Sequence, residues 1–163
     1  MRRVVFRLIS LCGKISLMLI AMRPALNSDF DYCRCLYFSE MKWIIDELHL
    51  DLAAQENGLQ QQWNPMQVHI VTLDGSDAGW VQTIRQEEAL FVGQIIVERR
   101  FQRRGIGTEI MRRLISDAAQ IGLPLCLSVV KINPARRLYQ RLGFQITHED
   151  DRKFYMKRDL GAR

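Results

Sequence analysis

The sequence has few of the residues that interrupt or cross-link a folded chain. Ten glycines and four prolines are present among 163 residues, and only 9% of the residues are aromatic. Because 48% are apolar and 25% are charged, the composition is that of a folded globular domain and excludes a disordered or fibrous chain. The four cysteines form no CxxC pair and are too sparse for a disulfide framework, so we expect a reducing compartment and a cytoplasmic protein. They are Cys12, Cys33, Cys35 and Cys126.

Long apolar runs are also absent, and positive charge is concentrated at the N-terminus. Residues 1–14 carry three arginines, one lysine and no acidic residue. Outside this segment 19 basic residues face 18 acidic ones, which gives little support for nucleic-acid binding. The longest uncharged run near the N-terminus is Ile15–Met22, whereas a membrane-spanning helix needs roughly 20 apolar residues. We therefore expect no membrane association.

The basic and apolar start of the chain has three interpretations. A secretory signal peptide is one, although no small-x-small cleavage pattern follows. An N-terminal extension is another, and a start codon assigned upstream of Met18 or Met22 is the third. We expect residues 1–14 to be an N-terminal extension or the product of a start codon assigned too far upstream. Residues 15–163 are expected to form one domain.

Hydrophobic periodicity divides residues 15–163 into strands and helices in the order β-α-α-β-β-β-α-β-α-β-β. A capping box at Ser28–Asp31 is expected to open the first helix. Strands are predicted at 15–23, 68–72, 79–86, 89–97, 125–130, 144–147 and 154–157. Helices are predicted from Ser28 to about Leu48 and at 52–62, 105–121 and 135–142.

Residues 95–108 contain a strand end, a basic loop and a glycine-containing helix start. Helix N-termini leave their first amides without intrahelical partners and carry partial positive charge. Gly105 and Gly107 would allow a ligand to approach that backbone closely, so the segment predicts a phosphate-binding turn. A plain glycine-assisted turn into a core helix has the same pattern. The segment is neither a Walker loop, because no GK[ST] follows, nor a dinucleotide fingerprint, because only two glycines are present.

Together with a second segment, this turn resembles the GNAT superfamily of acyl-CoA N-acyltransferases. Gln102–Gly107 (QRRGIG) matches the family's Q/R-x-x-G-x-G/A signature, and Asn133–Phe144 (NPARRLYQRLGF) matches its Asn…Leu-Tyr…Leu-Gly-Phe run. The closest likeness is to small bacterial members. The resemblance extends over Val68–Arg158, and residues 15–64 fit it only through their element order. It implies an α/β (α+β) fold, a mixed and mostly antiparallel sheet of six or seven strands flanked by helices.

The resemblance also implies a site for acetyl-CoA as the acyl-donor cosubstrate, with no metal. The pantetheine arm would pair with the backbone of Ile95, Ile96 and Val97, and Asn133 would reach the cofactor. Tyr139 would lie near the sulfur as proton donor to the CoA thiolate, or would be a core tyrosine. The pyrophosphate would lie on the amides of the phosphate turn, namely Arg103, Arg104, Gly105, Ile106, Gly107 and Thr108.

The activity that this resemblance implies is direct transfer of an acetyl group to a primary amine within a ternary complex. The acceptor would be an amine of a small molecule or a peptide. A non-catalytic CoA-binding or protein-interaction module on the same fold is the alternative, because no general base stands out. Some family members have a glutamate on the fifth strand, where this sequence has only Ser128. The candidates for the base are Glu87, Glu88, Gln94 and His49, and a water relay is the alternative. The sequence leaves open whether the chain forms a homodimer.

Overall fold

Eight strands and four α-helices are present in the computed structural model, which describes residues 4–11 and 14–161. Short 3-10 turns lie at Asn27–Asp29, Pro65–Gln67 and Arg99–Phe101. The strands are β1 Val4–Leu11, β2 Lys14–Pro24, β3 Val68–Leu73, β4 Ser76–Arg85, β5 Leu90–Val97, β6 Leu125–Val130, β7 Gln145–Glu149 and β8 Lys153–Arg158. The helices are α1 Phe30–Glu47, α2 Leu52–Gln61, α3 Ile106–Gln120 and α4 Arg136–Arg141.

The strands form a mixed, mostly antiparallel sheet, which confirms the predicted fold class. Hydrogen-bonded neighbours follow the order β1-β2-β3-β4-β5-β6-β8-β7. Strands β5 and β6 pair in parallel, whereas β1 with β2, β2 with β3, β6 with β8, and β7 with β8 pair antiparallel. The structure adds β1 to the predicted element order, which raises the strand number from six or seven to eight.

The added strand falls within the N-terminal segment. Its backbone pairs with β2 along its whole length, from Val4↔Ala21 to Leu11↔Lys14. Residues 1–3 and 12–13 lie outside the described residues, as do the side chains of residues 1–17. The expectation that residues 1–14 are an extension outside the domain core therefore stays a prediction.

The chain divides into two compact units, and both contain parts of β4 and β5. The first unit comprises the chain up to Val81 together with Ile95–Gln102. The second comprises Gln82–Gln94 and the chain from Arg103 onward. Each unit has buried apolar residues of its own and is described by itself below.

In the first unit, α1 packs against α2 and contributes an apolar stripe to the core. Its buried residues are Cys33, Leu36, Tyr37, Ile44 and Ile45, spaced as one helical face requires. All of these except Ile44 belong to one core cluster with strand residues that include Ile70 and the fully buried Trp80. None of the described helices is both long and apolar enough to cross a membrane.

The start of α1 differs from the capping box predicted at Ser28–Asp31. A 3-10 turn precedes the helix, and Asp29 accepts a hydrogen bond from the Leu26 N–H at 2.7 Å. Asp29 is also bound by both terminal nitrogens of Arg23, at 2.8 and 2.9 Å, and Arg23 reaches Asp77 at 3.2 Å. Asp29 therefore joins the start of the helix to Arg23 of β2, six residues earlier, and Arg23 in turn reaches the distant Asp77.

The second unit is built around α3 and β6, which pack against each other. Leu125, Leu127 and Val129 are the buried residues of β6, which alternate as expected for a strand. The helix ends as predicted at Gly122, which has φ +70°, and the Leu123 N–H donates to the Ala118 carbonyl at 3.0 Å. The buried residues of α3 are Ile106, Ile110, Met111, Leu114 and Ala118.

Candidate active site

The predicted phosphate turn leads into α3 through two residues in the left-handed region. Arg103 has φ +59°, and Gly105, the N-cap residue, has φ +81°. Gly105 has no side chain to cap the helix, and the bond from the Glu109 N–H to the Gly105 carbonyl, 3.0 Å long, opens the helical ladder. The amides of residues 106–108 precede that bond, so the helix presents backbone donors at this end. This is the backbone geometry that binds anions at helix N-termini.

The second motif lies next to this turn within the same unit. A Cβ atom added to Gly107 would lie 3.5 Å from Cδ2 of Leu138, which is in α4. The start of α3 and the helix carrying Tyr139 are therefore in contact, although Gly107 and Leu138 lie far apart in the sequence. The structure brings together the two segments on which the resemblance depends.

Asn133 forms the turn between β6 and α4. Its Oδ1 accepts a hydrogen bond from the Ala135 N–H at 2.9 Å, and its own N–H donates to the Val130 carbonyl at 2.8 Å. Its carbonyl accepts from the Arg136 N–H at 3.3 Å. The predicted contact between Asn133 and the cofactor would therefore use Nδ2 or the second acceptor position of Oδ1.

Tyr139 is buried, with 6% of its surface exposed. Its ring packs edge-on against Phe144, with 6.0 Å between the ring centroids. Loss of solvation on burial raises the pKa of Tyr139 to about 12. The phenol is therefore fully protonated at neutral pH and is available as a hydrogen-bond donor.

The predicted pantetheine-binding residues lie at the end of β5, in the first unit. Ile96 is buried, and Ile95 and Val97 are half-buried. The Val97 carbonyl accepts a hydrogen bond from Gln102 Nε2 at 2.8 Å, so one of its two acceptor positions is occupied. Pairing of a ligand with this backbone would use the second acceptor position or the neighbouring backbone groups.

The parallel ladder between β5 and β6 is short. It has three register pairs and ends at Val92↔Leu127, although β5 continues to Val97. On its other side β6 pairs with β8 over its whole length, from Leu125 to Val130. The ladder between β5 and β6 therefore stops five residues before β5 ends.

The candidates for a general base lie at scattered positions. Glu87 and Glu88 are exposed in the turn that joins β4 and β5. His49 is exposed after α1 and has φ +50°. Gln94 and Ser128 are half-buried strand residues. The general base is therefore not assigned.

Sequence reasoning missed two residues that shape the end of β5. A Cβ atom on Gly79 would overlap the carbonyl oxygen of Ile96, so only glycine allows β4 and β5 to approach this closely. A glycine inside a strand pattern is a signal for such an approach. Glu40, on α1, accepts hydrogen bonds from the Arg99 N–H and from Gln102 Nε2, each 2.9 Å long. No local pattern indicates that contact.

Comparison with known families identifies the class of protein that this fold and turn define. The sequence model described as "Acetyltransferase (GNAT) domain" matches residues 64–146, just over half of the chain. The chain therefore belongs to the GNAT acetyltransferase family, as the two motifs predicted.

Solved structures of the same fold cover most of the chain. The PaiA N-acetyltransferase from Thermoplasma acidophilum, in complex with coenzyme A, has a TM-score of 0.72 at 13% identity, over 86% of this chain and 98% of that one. The ribosomal-protein-S18-alanine N-acetyltransferase from Escherichia coli has a TM-score of 0.65 at 18% identity, over 85% and 92%. A GNAT-family acetyltransferase from Listeria monocytogenes has a TM-score of 0.65 at 15% identity, over 94% and 100%. No curated protein matches the sequence.

Proposed function

We propose that this protein transfers the acetyl group of acetyl-CoA to a primary amine of a small molecule or a peptide. The contact between the phosphate turn at Gly107 and the helix that carries Tyr139 is the observation on which the proposal rests. The backbone amides that would bind the pyrophosphate and the protonated phenol lie in one compact unit, which supports the proposal. Membership of the GNAT family supports the same chemistry.

The proposed reaction needs two things from the chain: an anion site and a proton. The backbone amides at the start of α3 carry no net charge, but their unpaired N–H groups and the helix macrodipole favour a bound pyrophosphate. The nitrogen of the neutral amine attacks the thioester carbonyl carbon, a C–N bond forms and the C–S bond breaks. The leaving thiolate takes the phenolic proton of Tyr139, and the proton lost by the amine passes to water and restores the phenol.

Binding of acetyl-CoA at the turn is tested with Gly107→Glu, which adds bulk and a negative charge to the turn on which the pyrophosphate would lie. We expect no measurable acetyl-CoA binding to this variant in isothermal titration calorimetry. Gly107→Ala is the matched control, because its Cβ would meet Leu138 at an ordinary contact distance of 3.5 Å. Wild-type affinity in the folded Gly107→Glu variant would contradict the assignment.

Turnover is tested separately, with a panel of small-molecule and peptide amines and detection of the released CoA thiol. We expect at least one amine to release thiol at a rate that depends on both substrates. Tight acetyl-CoA binding without turnover on any amine would instead favour the non-catalytic CoA-binding module.

A further inference from the structure

Glu40 connects α1 to the loop that follows β5, and all of these residues lie in the first unit. One carboxylate oxygen of Glu40 accepts the Arg99 N–H at 2.9 Å, and the other accepts from Gln102 Nε2 at 2.9 Å. Gln102 Nε2 also donates to the Val97 carbonyl at 2.8 Å. One side chain on α1 therefore binds both ends of the 3-10 turn Arg99–Phe101. We call these three hydrogen bonds the Glu40 clamp.

The clamp replaces a cap that the turn does not supply itself. Glu98 is the N-cap residue of this turn, but its carboxylate pairs with Arg100 and makes no capping bond. The Arg99 N–H at the start of the turn is satisfied by Glu40, 59 residues away in the sequence. Hydrogen bonds to an ionised carboxylate are stronger than those between neutral groups, so this contact strongly favours one loop conformation.

Gln102 is also the first residue of the phosphate-turn motif. Both hydrogens of its amide group are used, one by Glu40 and one by Val97. Arg103, which starts the phosphate turn, is its covalent neighbour. The clamp therefore holds Gln102 and the Val97 carbonyl in one conformation, within the backbone segment that the pantetheine arm is expected to use.

We propose that Glu40 is a positioning residue that holds Val97–Gln102 in one conformation before acetyl-CoA binds. This inference rests on the proposed function. A ligand that binds only one of several loop conformations has its affinity reduced by the fraction of molecules in that conformation. Without the clamp, acetyl-CoA would have to order the loop as it binds.

The test compares Glu40→Gln with the wild type in acetyl-CoA titrations and in amide hydrogen exchange. The variant places an amide donor opposite the Gln102 donor and weakens the bond to the Arg99 N–H. We expect the dissociation constant for acetyl-CoA to rise about tenfold or more. A tenfold rise corresponds to a loop that has the binding-competent conformation in about one molecule in ten. Glu47→Gln, at an exposed position of the same helix, is the matched control and should bind like the wild type.

Hydrogen exchange separates positioning from a general structural role. In the free Glu40→Gln protein the Arg99 amide should exchange faster than in the wild type, while the melting temperature changes little. Saturating acetyl-CoA should restore slow exchange, because the ligand then orders the loop. A Gln102→Leu variant should behave similarly. The double variant should bind acetyl-CoA no more weakly than the weaker-binding of the two single variants, because the two residues act through one contact.

Two results would overturn different statements. If the wild type binds acetyl-CoA and Glu40→Gln binds it equally well, the positioning role is wrong and the proposed function is unaffected. If the wild type does not bind acetyl-CoA, the proposed function fails, and this inference fails with it.

Discussion

Replacement of Tyr139 by phenylalanine should slow turnover without weakening the fold. The ring is buried and packs against Phe144, and both features are retained by phenylalanine. Only the hydroxyl is lost. We therefore expect a melting temperature close to that of the wild type, because the apolar packing of the ring is kept.

The expected loss of rate follows from the pKa of the phenol. General-acid catalysis typically increases the rate by a factor of about 10² to 10⁴. The factor is largest when the pKa of the acid lies near the pH of the reaction. Burial raises the pKa of Tyr139 to about 12, well above the value of about 8.5 for an ordinary thiol. This mismatch places the expected effect at the lower end, about 10²-fold in kcat, or about 2.7 kcal/mol of activation free energy. The same pKa predicts no loss of activity through ionisation of Tyr139 up to pH 10.

The assay is release of the CoA thiol with the amine found in the panel, with kcat measured beside the dissociation constant for acetyl-CoA. Tyr37→Phe is the matched control, because Tyr37 is also buried and donates a hydrogen bond to Gln55 at 3.3 Å in the first unit. That control should lose about 1 kcal/mol of stability and keep its kcat. Wild-type kcat in Tyr139→Phe, under conditions where chemistry limits the rate, would refute the proton-donor role and assign Tyr139 to packing.

Two further predictions concern the stability of the first unit. The pKa of Asp29 is lowered chiefly by its hydrogen bonds from Arg23. The ionised carboxylate therefore stabilises the fold at pH values above the ordinary carboxyl pKa. This contribution is lost as the pH falls through the lowered pKa of the folded protein. Asp29→Asn should therefore lose about 1–2 kcal/mol at pH 7 in urea denaturation, and a deficit that does not shrink below pH 4 would contradict this reasoning. Gly79→Ala should lose about 2 kcal/mol or more because its Cβ overlaps the Ile96 carbonyl, whereas Gly58→Ala, in open space on α2, should gain up to about 1 kcal/mol. Equal melting temperatures for these two glycine variants would refute the close approach.

Local sequence patterns predicted the elements whose boundaries are determined locally. β6 was predicted at 125–130 and lies there, because a short apolar run directly follows Pro124. The helix start at Gly105 was predicted for a similar reason, since its φ of +81° is a conformation that glycine adopts freely. Binding of a phosphate at this turn stays a prediction. β1 was not predicted, because basic residues interrupt its apolar pattern while the backbone still pairs with β2.

Tertiary contacts account for what the sequence did not predict. The cap predicted at Ser28 does not form: the helix begins at Phe30, and Asp29 before it accepts hydrogen bonds from the Leu26 N–H and from Arg23 near the end of β2. Glu40 is an ordinary acidic residue on a helix, and its partners come within reach only after the chain folds. Sequence periodicity does not indicate contacts between residues that lie about 60 positions apart, so the contacts of Glu40 are visible only in the folded structure.

The left-handed conformation of Arg103 has a thermodynamic consequence for how this turn tolerates change. A residue with a Cβ atom costs roughly 1–2 kcal/mol in this region relative to its ordinary conformations, whereas glycine adopts it freely. A glycine at this position would therefore favour the fold and remove one positive charge from the turn. Arginine at this position therefore adds a positive charge to the turn and lowers the stability of the fold. The proposed attraction between this charge and the phosphates of a ligand would offset the conformational cost in the bound state.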